Sequence, residues 1–363
     1  MAQNTFELVG HEIESPLVNA AGSINGTNKE RILREVETLA STALGAITLG
    51  SFTIPRQEGN DVKYDGPGQV YYYDRGTQST YNSMGLPNIG LEAALELMPE
   101  IVARAHEKDK PVIVSVSPTL GDPEIGNSVK QSARLFYEFS LTEADLIEIN
   151  TSCPNIVTEG GGRKEMLGYD LEAMQELIDE LRMWNGRGTG LGLKLPPYLT
   201  DDQQAKVPEL ARIIAESQTI GFIVTSNTIP NQLALDEAGN PALKVPGSTG
   251  GKSGPSTRYI GREQLVLWRE ALRPYQGRLA FPIEIISTLG VDSGQEIMFR
   301  RNLGAVAAGG GTFLWKSPDW AATVSNMLGE FADIDAPAPE TTELKPPNPP
   351  ASRRVWDLFG RSK

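Results

Sequence analysis

Eight short apolar segments, each bounded by Gly, Pro, Asn or Ser, recur along the chain and are separated mostly by segments of helical periodicity. Such apolar runs are typical of buried β-strands. Because each helix has to cross back over the sheet, the strands should be parallel. Eight strand–helix units predict an α/β protein with a (β/α)8 barrel, or TIM barrel, a fold that typically takes about 250 residues. The predicted strands are residues 16–20, 46–50, 111–116, 145–149, 190–195, 221–225, 282–286 and 304–308.

Helix start signals support this alternation. Thr27 with Glu30, and Thr200 with Gln203, have the spacing of a capping box, in which two side chains satisfy each other's backbone N–H groups. Asp170 precedes a segment whose apolar residues fall on one helical face, namely Leu171, Met174, Leu177, Ile178 and Leu181.

Three segments depart from the regular alternation. Residues 51–90 are too long for a simple connection, and we expect a lid segment inserted after strand two. The Gly-rich stretch 247–254 does not directly follow a strand and precede a helix, so we interpret it as backbone packing near a cofactor and not as a nucleotide triphosphate loop. We therefore predict one barrel domain over residues 1–331 and an irregular Pro-rich, acidic tail over 332–363, which either stays flexible or docks its last apolar residues on a protein surface.

Charge and composition exclude several functions. A formal net charge of −13 repels phosphate backbones and anionic lipid, and no compensating basic patch is evident, so neither nucleic acid nor a membrane is an expected partner. One cysteine and two histidines provide too few ligands for a zinc or iron–sulfur centre, and we predict no metal. The first residues lack the pattern of a signal peptide and no stretch is apolar enough to span a membrane, so we expect a cytoplasmic protein that acts on small molecules.

Polar residues or glycines follow every predicted strand. In a barrel the C-terminal ends of the strands form one rim, and the active site lies there. Any single Asn, Ser or Gly at such a place is weak evidence, because these residues also terminate strands. Their occurrence after all eight strands favours a site. Glycines after strands seven and eight further suggest a phosphate-bearing ligand.

Two reactive side chains stand out on this rim. A lone cysteine is most often a small buried hydrophobic residue. Cys153, however, lies between Asn150 and Asn155 in a turn stiffened by Pro154, which favours a catalytic thiol. Lys194 either is an ordinary solvated lysine or, since it lies in an apolar strand, is a fixed cation that faces the pyrimidine edge of a flavin.

Segments 82–88, 150–155 and 194–198 (NSMGLPN, NTSCPN and KLPPY) resemble the signatures of the class 1, soluble dihydroorotate dehydrogenases in both order and spacing. The resemblance extends from about residue 16 to residue 315. It implies an FMN-dependent oxidoreductase, usually a homodimer, that oxidises dihydroorotate to orotate in pyrimidine biosynthesis. In that family the cysteine of the NxSCPN loop removes the C5 proton while hydride passes from C6 to flavin N5, and the resemblance gives this catalytic role to Cys153.

The resemblance also implies the remaining site residues. Substrate contacts would come from Asn82, Met84, Gly85, Leu86, Asn150, Asn155, Asn227 and Thr228. FMN would be lined by Ala20, Ala21, Gly22, Ser51, Asn82, Asn150, Lys194, Gly251, Gly290, Gly311 and Thr312.

Two positions depart from the family pattern. Gly50 stands where the family has a second lysine near flavin and substrate, and Leu289 stands where the phosphate-binding turn usually has glycine. Losing a fixed cation from a dry site weakens transition-state stabilisation. The alternative function is therefore a diverged paralogue that acts on another dihydropyrimidine, or a catalytically weak protein that binds flavin or pyrimidine. The electron acceptor stays open between fumarate and NAD, and the NAD route would need a partner subunit that carries an iron–sulfur cluster.

Overall fold

A computed structural model describes residues 6–60, 70–119, 126–152, 166–184 and 190–335. Eight parallel strands form one sheet in the order 1-8-7-6-5-4-3-2, numbered along the chain. Each lies within one or a few residues of its predicted position, and the predicted barrel is confirmed. Barrel strands 1 to 8 are Leu17–Asn19, Ile47–Phe52, Val112–Val116, Leu146–Asn150, Gly190–Leu195, Phe222–Thr225, Glu284–Ser287 and Ala307–Gly310.

Between strands 1 and 2, a side chain replaces part of the backbone hydrogen-bond ladder that would otherwise close the barrel. Their backbones share the parallel bridge between Val18 and Ala46. Beyond it, Asn19 Nδ2 donates to the Thr48 carbonyl (2.7 Å) and Asn19 Oδ1 accepts from the Thr48 N–H (2.8 Å). Asn19 is fully buried, so this amide supplies the pair of hydrogen bonds that a neighbouring strand would otherwise make.

Helices surround the barrel and bury their apolar faces against the strands. The segment that begins at Leu171 buries Met174, Leu177, Ile178 and Leu181, as its periodicity predicts. The helices are Lys29–Ala40, Leu91–His106, Ser128–Ser140, Leu171–Trp184, Asp201–Ser217, Arg258–Leu272, Gly294–Asn302, Thr312–Trp315 and Trp320–Asp335. The last of these extends past residue 331, where we predicted that the barrel domain ends.

Of the two predicted capping boxes, one is confirmed and one is wrong. Thr200 and Gln203 form the reciprocal pair at the start of their helix. The first helix begins one residue later than Thr27 predicts, because the Asn28 side chain accepts from Arg31 N at 2.9 Å and acts as the cap. An Asn at this position satisfies the orphan N–H at least as well as Thr does.

The inside of the barrel has its own core, which is closed at the bottom by an N-terminal hairpin. The hairpin pairs Phe6–Leu8 with His11–Ile13. Its residues Leu8 and Ile13 pack with Phe222, which lies at the start of strand 6. Apolar side chains therefore fill the bottom of the barrel.

A four-stranded antiparallel sheet lies over that rim, and we refer to it as the lid sheet. Its strands are, in order, Ile229–Leu233, Thr249–Ser253, Ser79–Asn82 and Tyr71–Asp74. The predicted lid segment after strand 2 therefore forms only half of it. The Gly-rich stretch forms one of its two central strands and pairs with the other, Ser79–Asn82.

The structure also bears on membrane and metal binding. Within the described ranges, none of the helices has both the length and the apolar character needed to cross a bilayer. The same residues contain no cluster of His, Cys, Asp and Glu suited to a metal ion.

We expect Asn19→Ala to lower the free energy of unfolding by about 2–4 kcal/mol, because it leaves the buried Thr48 N–H and carbonyl without partners. Urea denaturation measures this. Asn302→Ala, at an exposed helix end, is the matched control and should change stability little. Equal losses in the two variants would show that the Asn19 amide does not close the barrel.

Candidate active site

A cleft opens between the C-terminal ends of the barrel strands and the lid sheet, and it contains about 940 Å³ of space free of protein atoms, part of it open to solvent. Most of the predicted site residues line it, from six different strand ends and from the lid segment. They are Ala20, Ala21, Gly22, Ser51, Asn82, Met84, Gly85, Leu86, Asn150, Lys194, Asn227, Thr228, Gly311 and Thr312.

Two predicted site residues, Cys153 and Asn155, lie outside the described residues. Two others are described but do not line the cleft. Gly251 pairs with Asn82 in the lid sheet and allows Thr228 to pack against it, so close that a side chain at 251 would overlap Thr228. A Cβ at Gly290 would come within 2.5 Å of Arg258 N. Both glycines therefore support the walls of the cleft from behind.

Several lining residues were not among the residues predicted to contact substrate or FMN. Thr80 and Ser253 lie on the lid sheet, and the Thr80 hydroxyl is 2.7 Å from that of Thr312 at the end of strand 8. No local sequence pattern predicts that two residues so far apart in the chain lie next to each other. The others are immediate neighbours of predicted positions or lie at the same strand ends: Ser23, Asn25, Pro87, Ser226, Thr288, Leu289, Gly310 and Trp315.

Lys194 is the one charged residue among the described residues that line the cleft. It is only 5% exposed. In the part of the chain that the structure describes, its ammonium makes no hydrogen bond to protein. Because a buried ammonium retains donors that need acceptors, this arrangement suits a bound group with negative charge or strong acceptors. The electron-rich pyrimidine edge of FMN fits that description.

Two asparagines hold the residue that precedes Cys153. Asn150 Oδ1 accepts from the Ser152 N–H (3.1 Å) and hydroxyl (2.9 Å). Asn227 Nδ2 donates to the Ser152 carbonyl (2.9 Å) and hydroxyl oxygen (3.1 Å). Ser152 is fully buried. The amides that the sequence predicts as ligand contacts thus also fix the backbone that leads into the cysteine loop.

The segment Met84-Gly85-Leu86 presents its backbone to the cleft. Gly85 and Leu86 both have positive φ, at 75° and 56°. The N–H groups of the three residues donate to no acceptor within the described ranges, whereas the Met84 carbonyl accepts from Asn60 N at 2.7 Å. Consecutive free N–H groups of this kind are suited to an anion such as a carboxylate.

Arg300 holds the turn after strand 7. Its guanidinium is fully buried and donates to the Thr288 carbonyl (3.1 Å) and the Leu289 carbonyl (2.9 Å). Burial lowers the pKa of Arg300, and its ion pair with Glu296 opposes that shift. Leu289 keeps a φ of 68°, which is the left-handed conformation that glycine favours. The expected glycine is absent, but its backbone conformation is retained.

Gly50 lies in an irregular part of strand 2, where the register with strand 3 shifts between Leu49 and Phe52. Its φ is 87°, and a Cβ would stand 2.5 Å from the Ser115 carbonyl oxygen. The backbone here is tied to the loop after strand 1, since Gly50 N donates to the Ile24 carbonyl at 3.0 Å. A lysine therefore cannot be placed at residue 50 without moving the strand.

With this geometry in view, comparisons with known proteins decide the family. The profile of the family described as "Dihydroorotate dehydrogenase" matches residues 3–331. The chain belongs to the dihydroorotate dehydrogenase family. It is an oxidoreductase, and the predicted class 1 membership is confirmed.

The relatives agree with this assignment. The chain is 28% identical over 338 residues to dihydroorotate dehydrogenase A (fumarate) of Lactococcus lactis, covering 92% of this chain and 94% of that protein. It is 28% identical over 251 residues to dihydroorotate dehydrogenase (fumarate) of Trypanosoma brucei brucei, covering 68% and 70%. A crystal structure of DHODH from Eimeria tenella in complex with ferulenol shares the fold, with a TM-score of 0.68 at 16% identity, covering 91% of this chain and 84% of that one.

We expect Gly50→Ala to destabilise the protein by about 1–3 kcal/mol, because it combines a strained φ with a close contact to the Ser115 carbonyl. Gly50→Lys should be at least as destabilising, because it has the same Cβ contact. Thermal unfolding measures the change. Gly277→Ala is the control, because a Cβ there meets nothing within 4 Å. Wild-type stability of Gly50→Ala would contradict the strand geometry.

Proposed function

We propose that this protein oxidises dihydroorotate to orotate with bound FMN, as a step of pyrimidine biosynthesis. The observation that carries the proposal is the buried ammonium of Lys194, which lacks a hydrogen-bond partner within the described ranges and faces a cleft lined by amides and backbone N–H groups. Family membership supplies the reaction class, and this cleft supplies a site with the matching chemistry.

The strand ends suit FMN. Lys194 would stabilise negative charge on the pyrimidine edge of the flavin. Ala20, Ala21 and Gly22 leave room above strand 1, since even a Cβ at Gly22 would meet nothing within 4 Å. Gly311 and Thr312 follow strand 8, where barrels commonly bind phosphate. FMN, when bound, supplies the acceptor for the hydride from C6.

The protein's own residues would bind the substrate and remove its proton. The N–H groups of Met84, Gly85 and Leu86 would receive the carboxylate. Cys153 would take the C5 proton. Because a thiol has a reference pKa of about 8.5, it can supply thiolate without a large shift of its pKa.

The asparagines complete the site. Asn150 and Asn227 hold Ser152 in place, which would position the following cysteine. Asn82 and Asn155 would add amide contacts to the pyrimidine ring, since amides offer both donors and acceptors.

One observation favours a second candidate function. At Gly50 the chain has no side chain, so Lys194 provides the positive charge on the described walls of the cleft by itself. A weaker electrostatic site suits a diverged paralogue that acts on another dihydropyrimidine, or a protein that binds flavin or pyrimidine with little turnover.

Assembly and electron acceptor complete the proposal. The names of the relatives favour fumarate as the acceptor, without a partner subunit. Transfer to NAD through an iron–sulfur partner subunit is the alternative. We further propose a homodimer, and the cytoplasmic location stays a prediction from the sequence.

We expect the purified protein to be yellow and its flavin absorbance to bleach when dihydroorotate is added without oxygen. Fumarate should then restore the absorbance. Absorbance spectroscopy measures both steps, with dihydrouracil, which lacks the carboxylate, as the control substrate. A colourless protein that cannot be reconstituted with FMN would refute the cofactor assignment. A yellow protein that dihydroorotate fails to bleach would favour the second candidate.

Cys153→Ala should slow flavin reduction by dihydroorotate by about 10²–10⁴-fold, because it removes the general base. Bound FMN should be unchanged, since the resemblance assigns no FMN contact to the thiol. Stopped-flow absorbance gives the rate, and the ratio of flavin to protein absorbance is the internal control. A near-normal rate with full flavin content would show that another group removes the proton.

A further inference from the structure

A buried glutamate lies directly beneath the cleft, and the reaction proposed above does not use it. Glu148 is in strand 4, two residues before Asn150, and is 3% exposed. A carboxylate inside a barrel is expensive to ionise unless it is paired. The sequence carried a signal for it, because Glu148 is the one charged residue within the apolar run 146–149.

Two hydroxyl groups connect Glu148 to the cleft. Ser115 Oγ donates to Glu148 Oε1 at 2.6 Å. Ser115 Oγ is also 2.8 Å from Ser51 Oγ, and either hydroxyl can be the donor in that pair. Ser51 lines the cleft and accepts from Asn150 Nδ2 at 3.0 Å. The buried carboxyl, two hydroxyls and the ligand space therefore form one continuous chain of short contacts.

Lys194 is the nearest opposite charge. It lies on strand 5 beside strand 4, where it pairs in register with Asn150. Lys194 and Glu148 both border a small internal cavity below the cleft. The groups that face this cavity from the other strands are uncharged: Val18, Asn19, Ala20, Ala21, Thr48, Ile113, Val224, Ile286 and Thr288.

We propose that Glu148 is a positioning residue that exchanges a proton with the cleft through the hydroxyls of Ser115 and Ser51. Its protonation state then determines whether the Lys194 ammonium is balanced by the Glu148 carboxylate or by the bound ligand. The part that concerns FMN rests on the proposed function. An ionised Glu148 balances Lys194 when the ligand is neutral. A protonated Glu148 leaves the ammonium to balance a ligand that has become negative.

The relay moves one proton from the cleft to Glu148 and leaves both hydroxyls unchanged. Ser51 receives a proton from water or ligand in the cleft and passes its own proton to Ser115. Ser115 passes its proton to Glu148 Oε1, so both hydroxyls are restored and the carboxylate becomes a carboxylic acid. Burial is the larger effect and raises the pKa of Glu148, whereas Lys194 and the Ser115 hydroxyl lower it, so loss of the Lys194 ammonium would raise the pKa of Glu148 further.

A first test needs no ligand. Glutamate side chains are labelled with ¹³C at Cδ and titrated by NMR, and the Glu148 resonance is assigned by its loss in Glu148→Gln. Lys194→Met should raise the titration midpoint of Glu148, because it removes the cation that favours the carboxylate. Glu35 is the internal control, since burial also raises its pKa but its cationic neighbours are Arg31 and Arg34. A Glu148 midpoint that does not respond to Lys194→Met would overturn the proposal.

A second test uses the protein loaded with FMN. The pH dependence of the flavin reduction potential counts the protons taken up with the two electrons. Glu148→Gln, which is uncharged and keeps a hydrogen-bond acceptor for Ser115, should take up about one proton fewer than the wild type over the pH range in which Glu148 titrates in the first test. Ser115→Ala should slow that uptake without changing the count. An unchanged count in Glu148→Gln would mean that the glutamate is only structural and would overturn the proposal.

The two tests separate this inference from the proposed function. A protein that never binds FMN, but whose Glu148 midpoint rises in Lys194→Met, refutes the flavin assignment and supports the coupling of the two residues. A yellow, active protein in which Glu148 ignores Lys194 retains the function and refutes the coupling.

Discussion

The closure of eight parallel strands into a barrel is the constraint on which the other features depend. A parallel sheet that stays open exposes backbone donors and acceptors at both edges, and closure removes them. In this protein the last gap is bridged by the amide of Asn19, which bonds both backbone groups of Thr48. Once the barrel is closed and its bottom is filled by the N-terminal hairpin, the strand ends must converge on one rim. The cleft follows from that convergence.

The fold could be predicted from the sequence because its signals are local. Each strand is a short apolar run and each helix has its own period and cap, so eight units can be counted without knowing any tertiary contact. The lid sheet shows what such local signals do not predict. Asn82 and Gly251 pair across 169 positions, and both neighbouring segments look like irregular polar loops. Pairing between distant segments leaves no periodic trace in either of them.

The site was predictable to the extent that it follows the strand ends and the family motifs. Lys194, Asn150 and Asn227 line the cleft as expected, although the hydrogen bonds of the two asparagines to Ser152 could not be foreseen. The conformation of Gly50 was equally hidden, because a sequence shows the missing lysine but not the positive φ that excludes it. Glu148 was visible as a charge in an apolar strand. Its relation to Lys194 depends on strand order, which only the structure supplies.

The lid sheet restricts which insertions and deletions this protein can tolerate during evolution. Its two central strands come from different insertions, one after strand 2 and one after strand 6, and each supplies the hydrogen-bond partner of the other. A deletion in either insertion would leave an unpaired strand edge above the cleft and would uncover the apolar side chain that remains, Tyr81 or Val245, since the two pack in one cluster. The two loops therefore have to vary in length together, and a graft that transfers a new specificity loop from a relative must bring both.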